Sequence, residues 1–266
     1  MNPSPGSPVK AELAALVSVA KDGLLVIEDA PRALGLTSAD AASRLARLAK
    51  AGWLARVRRG LYYVLPVDAP ASERTAYPDP WILAARAFVP CYVGGWSAAE
   101  YWGLTEQLFR STFVATAAPI RSWNQRLLGL DFHLVRVRPE RLLGVNCVWR
   151  GASTVAVSSV ERTLVDGFRD PAWLGGFRHA SECLHRYIES TTDKGMAALL
   201  GELSRSGNGA AAKRIGFILE HKGASAEVID QLRQAVTRGL TRLDPAIRQE
   251  GRINKRWGLI INASFV

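Results

Sequence analysis

Apolar positions along the first 65 residues recur with two different periods. Three segments have the spacing of about 3.6 residues that is typical of an amphipathic helix, at residues 11–23, 27–34 and 37–50. Two shorter runs are rich in aromatic and β-branched residues, as strands are, at residues 53–57 and 61–65. This order predicts a helix-turn-helix followed by a β-hairpin, which is the pattern of a winged helix.

The third predicted helix has recognisable ends and two contrasting faces. Thr37 is a good N-cap residue, with Asp40 in the place of the usual Glu or Gln of a capping box. Gly35 supplies the turn before this helix and Gly52 ends it. One face carries apolar residues for packing, namely Ala41, Leu45 and Leu48, flanked by Ala42 and Ala49. The opposite face carries Ala39, Ser43, Arg47 and Lys50, with Arg44 on its flank.

This second face predicts a recognition helix. Its small residues would let the helix approach a DNA groove closely, while its cations reach phosphates or guanine edges. The hairpin adds a cationic tip, because Arg58, Arg59 and Gly60 separate its strands. No Asp or Glu occurs from residue 41 to 67, whereas six cations do. We therefore predict a DNA-binding site formed by Thr37, Ser38, Ser43, Arg44, Arg47, Lys50, Arg56, Arg58 and Arg59.

The predicted binding mode places the helix at residues 37–50 in a major groove, with the hairpin tip on adjacent phosphates or in the minor groove. One alternative stays open at this point. Helix-turn-helix units also serve as protein-binding modules, and charged residues on an exposed helix face are commonly only solvated.

The rest of the chain predicts a second, larger domain. The segment after Pro66 is rich in Pro, Ala and polar residues and has no hydrophobic period, so we predict a linker at residues 69–79. It would join a DNA-binding domain at residues 1–68 to a domain at residues 80–266. Strands are predicted at residues 91–93, 112–117, 132–137, 145–148 and 155–157. Helices are predicted at residues 81–88, 97–102, 158–168, 177–190, 194–205, 210–221 and 226–237. The fold class is therefore α+β, with a mainly helical C-terminal half.

Composition narrows the class of partner. A net charge of +10 and 48% hydrophobic residues indicate a folded, polyanion-binding protein. Charge alone would also fit a membrane surface, but no run of 18 apolar residues occurs and the first ten residues lack the apolar region of a secretory signal. We therefore expect a cytoplasmic protein. The three cysteines, Cys91, Cys147 and Cys183, are odd in number and widely spaced, so we expect reduced and mostly buried thiols.

A search for chemistry returns no phosphate-binding loop, no dinucleotide fingerprint and no paired cysteine motif, so we predict no cofactor, no metal and no enzyme. His179, Cys183 and His185 invite a zinc interpretation, but a fourth ligand is not evident and packing is the commoner role. Glu161, Arg162 and Asp166 could form a site; we favour a helix cap at Glu161 and an i, i+4 ion pair between the other two. We expect the large aromatics to fill the core, among them Trp96, Trp102, Trp123, Trp149 and Trp173.

Four segments, taken in order, resemble the AbiEi family of antitoxin transcriptional regulators, whose genes accompany nucleotidyltransferase-like toxins in abortive-infection (phage-defence) loci. They are AGWLARVRRGLYYVLP at 51–66, VGGWSAAEYWGLTEQ at 93–107, VERTLVDGFRDPAWLGGF at 160–177 and INKRWGLIIN at 253–262. The hairpin segment alone is shared by many winged-helix proteins, whereas the ordered set is more specific. The resemblance implies a repressor that binds inverted repeats in double-stranded DNA of its own promoter, joined to a domain that counteracts the toxin without a stable complex.

Carried over residue by residue, the family's DNA-contacting positions are Ser43, Arg44, Arg47, Arg56, Arg58 and Arg59. The toxin's own signature, a Gly-Ser pair followed by D-x-D, is absent: Gly94, Gly95 and Ser97 lack the paired aspartates. The alternative is a protein-interaction module that neutralises the toxin by direct binding. A weaker third hypothesis is an enzyme that uses Glu161, Arg162 and Asp166. The oligomeric state stays open, because two monomers, a stable dimer or monomers that cooperate only on DNA would all fill an inverted repeat.

Overall fold

The protein is described by a computed structural model over residues 8–66, 78–142 and 144–264. Its chain divides into two compact units. The first comprises residues 1–92, 114–142 and 147–156, and the second comprises residues 93–113, 143–146 and 157–266. The predicted mixture of helices and sheets is confirmed. Most of the predicted linker, residues 69–77, lies outside the described residues, so the division at residues 68 and 80 stays a prediction.

The N-terminal part of the first unit has the predicted order of elements. These are α1 (Pro8–Val19), β1 (Leu24–Val26), a 3-10 turn (Ile27–Asp29), α2 (Ala30–Leu34), α3 (Ser38–Lys50), β2 (Leu54–Arg58) and β3 (Leu61–Val64). The strands form an antiparallel sheet in the order β1-β3-β2. The prediction was wrong at residues 20–23, where the predicted helix has already ended, and β1 at Leu24–Val26 was not predicted. Asp22 and Gly23 adopt left-handed backbone angles, with φ of 50° and 76°, and so reverse the chain into that strand.

A small hydrophobic core holds these elements together. Leu13 and Leu16 of α1 pack with Leu45 of α3, and all three are at most 1% exposed. The other buried members are Leu25, Ala30, Ala41, Leu48, Leu54, Tyr62 and Val64. The predicted apolar stripe of Ala41, Leu45 and Leu48 is thus confirmed, and it sets the opposite face of α3 outward.

A six-stranded sheet follows, and most of its residues belong to the first unit. Its strands are β4 (Cys91–Val93), β5 (Ser111–Thr116), β6 (Asn124–Leu127), β7 (Leu130–Arg136), β8 (Asn146–Arg150) and β9 (Ser153–Val157), in the order β6-β7-β5-β4-β9-β8. Two helices flank β4 in sequence, α4 (Pro80–Ala87) and α5 (Gly95–Tyr101). The five predicted strands are confirmed. β6 was missed because an edge strand of sequence NQRL carries no apolar alternation.

The second unit is mainly helical, as predicted. Its helices after α5 are α6 (Val160–Arg169), α7 (Phe177–Ser190), α8 (Asp193–Ser206), α9 (Gly209–His221) and α10 (Ala226–Gln234). A three-stranded sheet closes the chain, formed by β10 (Thr241–Arg242), β11 (Arg252–Asn254) and β12 (Leu259–Ile261) in the order β10-β12-β11. These short strands were not predicted. α10 also ends three residues early, at Gln234, and Ala235 caps it.

Candidate nucleic-acid interface

The turn into α3 is built by two residues that the sequence singled out. Gly35 adopts a φ of 64° and its N–H donates to the Pro31 carbonyl, which closes α2. The Thr37 hydroxyl accepts the N–H of Asp40 at 3.2 Å and donates to the Asp40 carboxylate at 2.7 Å. Because this hydroxyl is engaged on both sides, Thr37 holds the first turn of α3 in place. The predicted N-cap at Thr37 is confirmed. The Asp40 carboxylate differs from a capping-box residue, because it accepts from the Thr37 hydroxyl.

The outward face of α3 is small and cationic. Ala39, Ser43, Arg47 and Lys50 are all exposed, as is Ser38 at the first turn. The Asp40 carboxylate is also exposed but stays with Thr37 at the N-terminal end. The two cations therefore lie toward the C-terminal half of the helix, and small side chains precede them.

The hairpin beside α3 has a tight cationic tip. Arg58 pairs with Leu61 across the two strands, so Arg59 and Gly60 alone form the turn. Gly60 has a φ of 80°, which side chains rarely tolerate, and its carbonyl accepts the N–H of Ile27 at 2.8 Å. This bond fixes the tip to the 3-10 turn. A register shift between Arg56 and Arg58 adds local twist to β2.

Arg44 lies on the flank of α3 and has a partner inside the protein. Its guanidinium forms an ion pair with Glu12 of α1, with N···O distances of 2.5 and 2.7 Å. The Arg44 side chain is only 22% exposed. The assignment of this residue to DNA stays a prediction, and it competes with a contact that holds α3 against α1.

Arg58 also has a protein partner. Its Nη1 donates to the carbonyl of Ala87 at the C-terminal end of α4, where helix carbonyls carry partial negative charge. The assignment of Arg58 to the DNA-binding site likewise stays a prediction. The contact joins the hairpin to α4 within the first unit.

The four remaining cations have no such partner within the described residues, although Arg58 is exposed as they are. Arg47, Lys50, Arg56 and Arg59 are exposed, and no carboxylate in residues 8–66, 78–142 or 144–264 forms an ion pair with any of them. Exposed cations without a counter-ion nearby are suited to bind phosphates. The sequence identified all six cations but could not separate these two groups.

The suspected site on α6 is a buried ionic network. Arg162 donates to Asp166 at 2.9 Å and to Glu202 of α8 at 3.3 Å, and Arg205 reaches the second Glu202 oxygen at 2.7 Å. The predicted i, i+4 ion pair is confirmed. The predicted cap was wrong by one residue, since the Ser159 hydroxyl accepts the Arg162 N–H and places Glu161 one position too early for a capping box. Glu161 instead accepts the Tyr187 hydroxyl at 3.1 Å.

The residues considered for zinc do not converge. Within the described chain no group of three His, Cys, Asp or Glu side chains is placed to hold a metal ion. His179 Nδ1 lies 3.3 Å from Glu182, and Cys183 is buried. Burial raises the pKa of the Cys183 thiol to about 12, so it stays protonated at neutral pH. Cys147 is exposed, contrary to the expectation that the thiols are mostly buried.

The tryptophans divide into packed and exposed side chains. Trp173 is 2% exposed and packs against Phe113, and the Trp102 indole donates to the Ser158 carbonyl. Trp123 and Trp149 are instead 58% and 74% exposed, where core positions were expected. Both lie at the edges of the six-stranded sheet, where no neighbouring strand covers them. No helix of the described chain is long and apolar enough to span a membrane.

Comparison with known proteins agrees with the N-terminal geometry. Residues 19–64 match the family described as "Transcriptional regulator, AbiEi antitoxin", and this segment contains α2, α3 and the hairpin. The crystal structure of the RV2827C protein from Mycobacterium tuberculosis superposes with a TM-score of 0.60 at 18% identity, covering 95% of this chain and 90% of that one. This likeness shows a shared fold over nearly the whole chain. No curated protein matches the sequence.

Proposed function

We propose that this chain, whose residues 19–64 match the AbiEi antitoxin family of transcriptional regulators, represses its own operon by binding inverted repeats in the promoter. One observation carries the proposal: the exposed small and cationic face of α3 is followed by a hairpin with a cationic tip, in a segment without acidic residues from 41 to 67. DNA supplies the complementary charge, and a major groove admits a helix of this kind.

The exposed face of α3 suggests a division of roles. Ala39 and Ser43 are small, so this part of the helix can approach the base edges. Arg47 follows Ser43 by one helical turn and is the side chain best placed to form a bidentate contact with a guanine. Lys50 lies nearly one turn further and would reach a phosphate, as would Arg56 and Arg59 from the hairpin.

Arg44 and Arg58 act indirectly in this account. The ion pair of Arg44 with Glu12 holds α3 against α1, and the bond of Arg58 to the Ala87 carbonyl holds the hairpin. Each contact positions a DNA-contacting element. The Arg44 side chain is only 22% exposed in its ion pair, whereas Arg58 is exposed and commits one guanidinium nitrogen to the protein. This departs from the family pattern, in which both positions contact DNA.

The antitoxin activity rests on the family resemblance. We assign to the larger domain the task of counteracting a nucleotidyltransferase-like toxin, and we expect no stable complex with that toxin. Co-purification of the toxin with this chain at high salt would instead favour a direct-binding module.

The experiment is a mobility-shift titration of the purified chain against the DNA upstream of its own gene, with an unrelated fragment of equal length, at two salt concentrations. We expect saturable binding that prefers the upstream fragment and weakens steeply as salt rises. Equal binding to both fragments would remove sequence specificity from the proposal. No binding at either salt concentration would overturn it.

A further inference from the structure

A second cationic surface lies on the β6–β7 hairpin, away from α3 in sequence. Between residues 107 and 139 the chain carries five arginines and a single acidic residue, Asp131. Four of these arginines are exposed and have no ion-pair partner in the described chain. Arg110 precedes β5, and the other three, Arg121, Arg136 and Arg138, lie in or beside the hairpin. Arg126, the fourth on this hairpin, is neutralised by Asp131 at 3.6 Å.

The strand register explains why Arg126 differs from the other three. Arg126 pairs with Asp131, and Asn124 pairs with His133, so these four side chains share one face of the hairpin. One residue beyond the Asn124–His133 pair, Leu134 donates its N–H to the Trp123 carbonyl at 2.6 Å. Trp123 and Leu134 therefore belong to the opposite face, which also holds the buried Phe132.

Trp123 lies directly before β6, where the buried face of the hairpin becomes exposed. Leu134 is 0% exposed, whereas its cross-strand neighbour Trp123 is 58% exposed, because β6 is the last strand of the sheet. Arg136 follows Leu134 by two residues and Arg121 precedes Trp123 by two, so both lie at this same end of the hairpin. Arg138 comes directly after Val137, whose N–H bonds the end of β5 at Thr116. Together Arg121, Trp123, Arg136 and Arg138 form what we call the hairpin rim.

We propose that the hairpin rim binds single-stranded nucleic acid without sequence preference. An exposed indole among arginines provides a surface on which an unpaired base can stack, while the cations bind the flanking phosphates. An acidic polypeptide would satisfy the charges but would leave the indole without a matching partner. In duplex DNA the base faces are stacked on one another, so a tryptophan at an open sheet edge favours a single strand. None of the residues of this surface belongs to the operator-binding face proposed above.

The test uses the full chain with Arg47→Ala and Arg59→Ala, so that the α3 and hairpin-tip contacts are weakened. Fluorescence anisotropy would follow its binding to a labelled oligothymidylate. We expect binding that weakens with salt, with a slope of about 0.7 per phosphate neutralised. Trp123→Ala should weaken this binding on the order of 10-fold, because stacking on one aromatic is lost. Arg136→Ala should weaken it and lower the salt slope by about 0.7.

Two matched variants serve as controls. Trp149→Ala removes the other exposed tryptophan, 74% exposed on β8, and Arg126→Ala removes the neutralised arginine of the same hairpin. Neither should change oligothymidylate binding, and all four side chains are exposed enough for the unfolding midpoint to stay constant. The proposal is overturned if the chain does not bind oligothymidylate, if Trp149→Ala weakens binding as much as Trp123→Ala, or if polyglutamate competes as well as unlabelled oligothymidylate.

This result is independent of operator binding. In the otherwise unchanged chain, Trp123→Ala should lose affinity for the single strand and keep its preference for the upstream duplex. Loss of the duplex preference alone, with single-strand binding retained, would overturn the proposed repressor function and leave the hairpin rim intact.

Discussion

Three arginines of the N-terminal region and two of the helical unit occupy opposite environments. Arg47, Arg56 and Arg59 are exposed, and no described carboxylate pairs with them. Arg162 and Arg214 are 8% and 2% exposed, and each guanidinium is bonded within the protein. Under the proposed function, Arg47, Arg56 and Arg59 serve binding, whereas Arg162 and Arg214 stabilise the fold. The net charge of the chain does not distinguish exposed arginines from buried, hydrogen-bonded ones.

The buried guanidinium of Arg214 donates hydrogen bonds to several backbone carbonyls. Its Nη1 donates to the carbonyls of Phe168 and Arg169 at the end of α6, at 2.6 and 3.1 Å. Its Nη2 donates to the Arg242 carbonyl in β10 at 2.7 Å. Burial lowers the pKa of Arg214 to about 10, which leaves it charged at neutral pH. Its guanidinium therefore satisfies helix-end and strand carbonyls.

The largest expected effect comes from breaking the buried network on α6. Arg162→Met leaves the carboxylates of Asp166 and Glu202 buried with one partner fewer, which should lower the free energy of unfolding by about 3–5 kcal/mol. Urea denaturation would measure this loss. Arg178→Met is the matched control, because Arg178 forms an exposed i, i+4 pair with Glu182 and should change stability by about 0.5 kcal/mol or less. Equal effects would contradict the contrast between buried and exposed arginines.

Removing Arg47 should lower DNA affinity and leave stability unchanged, the reverse of the effect expected at Arg162. Arg47→Ala should weaken operator binding by about 1–3 kcal/mol and relax specificity at one base pair, while the free energy of unfolding stays constant because the side chain is exposed. Binding titrations with operators altered at single positions, together with urea denaturation, would measure both. Arg32→Ala, at an exposed position on α2, provides the control. An affinity loss that is the same for Arg32 and Arg47 would remove α3 from the recognition role.

The N-cap of α3 should contribute a smaller amount of stability than the buried network on α6. Thr37→Ala removes the acceptor of the Asp40 N–H and should cost about 1 kcal/mol of unfolding free energy. Thr37→Ser keeps the hydroxyl and should retain most of it. Denaturation of both variants would measure the difference. If both substitutions cost the same, the hydroxyl contributes nothing and the N-cap assignment fails.

The smallest expected effect is a difference in reactivity among the three cysteine thiols. It measures their burial in the unchanged protein. Cys147 is exposed, Cys183 is buried and Cys91 lies between them. Burial raises the pKa of Cys91 and of Cys183 to about 12, so little thiolate exists at pH 8 at either position. Iodoacetamide should therefore label Cys147 first, as peptide mass spectrometry would show. Because the folded pKa values lie above the unfolded value, these thiols favour the folded state below pH 9 and progressively less as pH rises toward 12.

Local signals predicted most of the N-terminal fold. Gly35, Thr37 and the apolar stripe of α3 define that helix from short-range chemistry, and the structure confirms its start at Ser38 and its end at Lys50. β1 and β10 to β12 were missed. Each has only two or three residues and so offers few positions for a period, although β4, which is as short, was predicted. Edge strand β6 was missed for a different reason, since its residues are nearly all polar.

The candidate site was harder to predict, because partners that are distant in sequence decide the role of each cation. Arg44 meets Glu12, which lies 32 positions away, and Arg58 meets the Ala87 carbonyl, 29 positions away. Neither contact leaves a signal in the local pattern. The exposure of Trp123 likewise depends on the place of β6 at the sheet edge, which only the tertiary structure establishes.

The most direct test of the account is the salt dependence of binding to the upstream DNA for three proteins: the unchanged chain, Arg59→Ala and Arg44→Met. We predict that Arg59→Ala lowers the slope of log K against log salt concentration by about 0.9, the value of one phosphate contact on duplex DNA. Arg44→Met should leave the slope unchanged, because that guanidinium is paired with Glu12. A slope that falls for Arg44→Met and stays constant for Arg59→Ala would contradict the division of cations into DNA-binding and protein-bound groups.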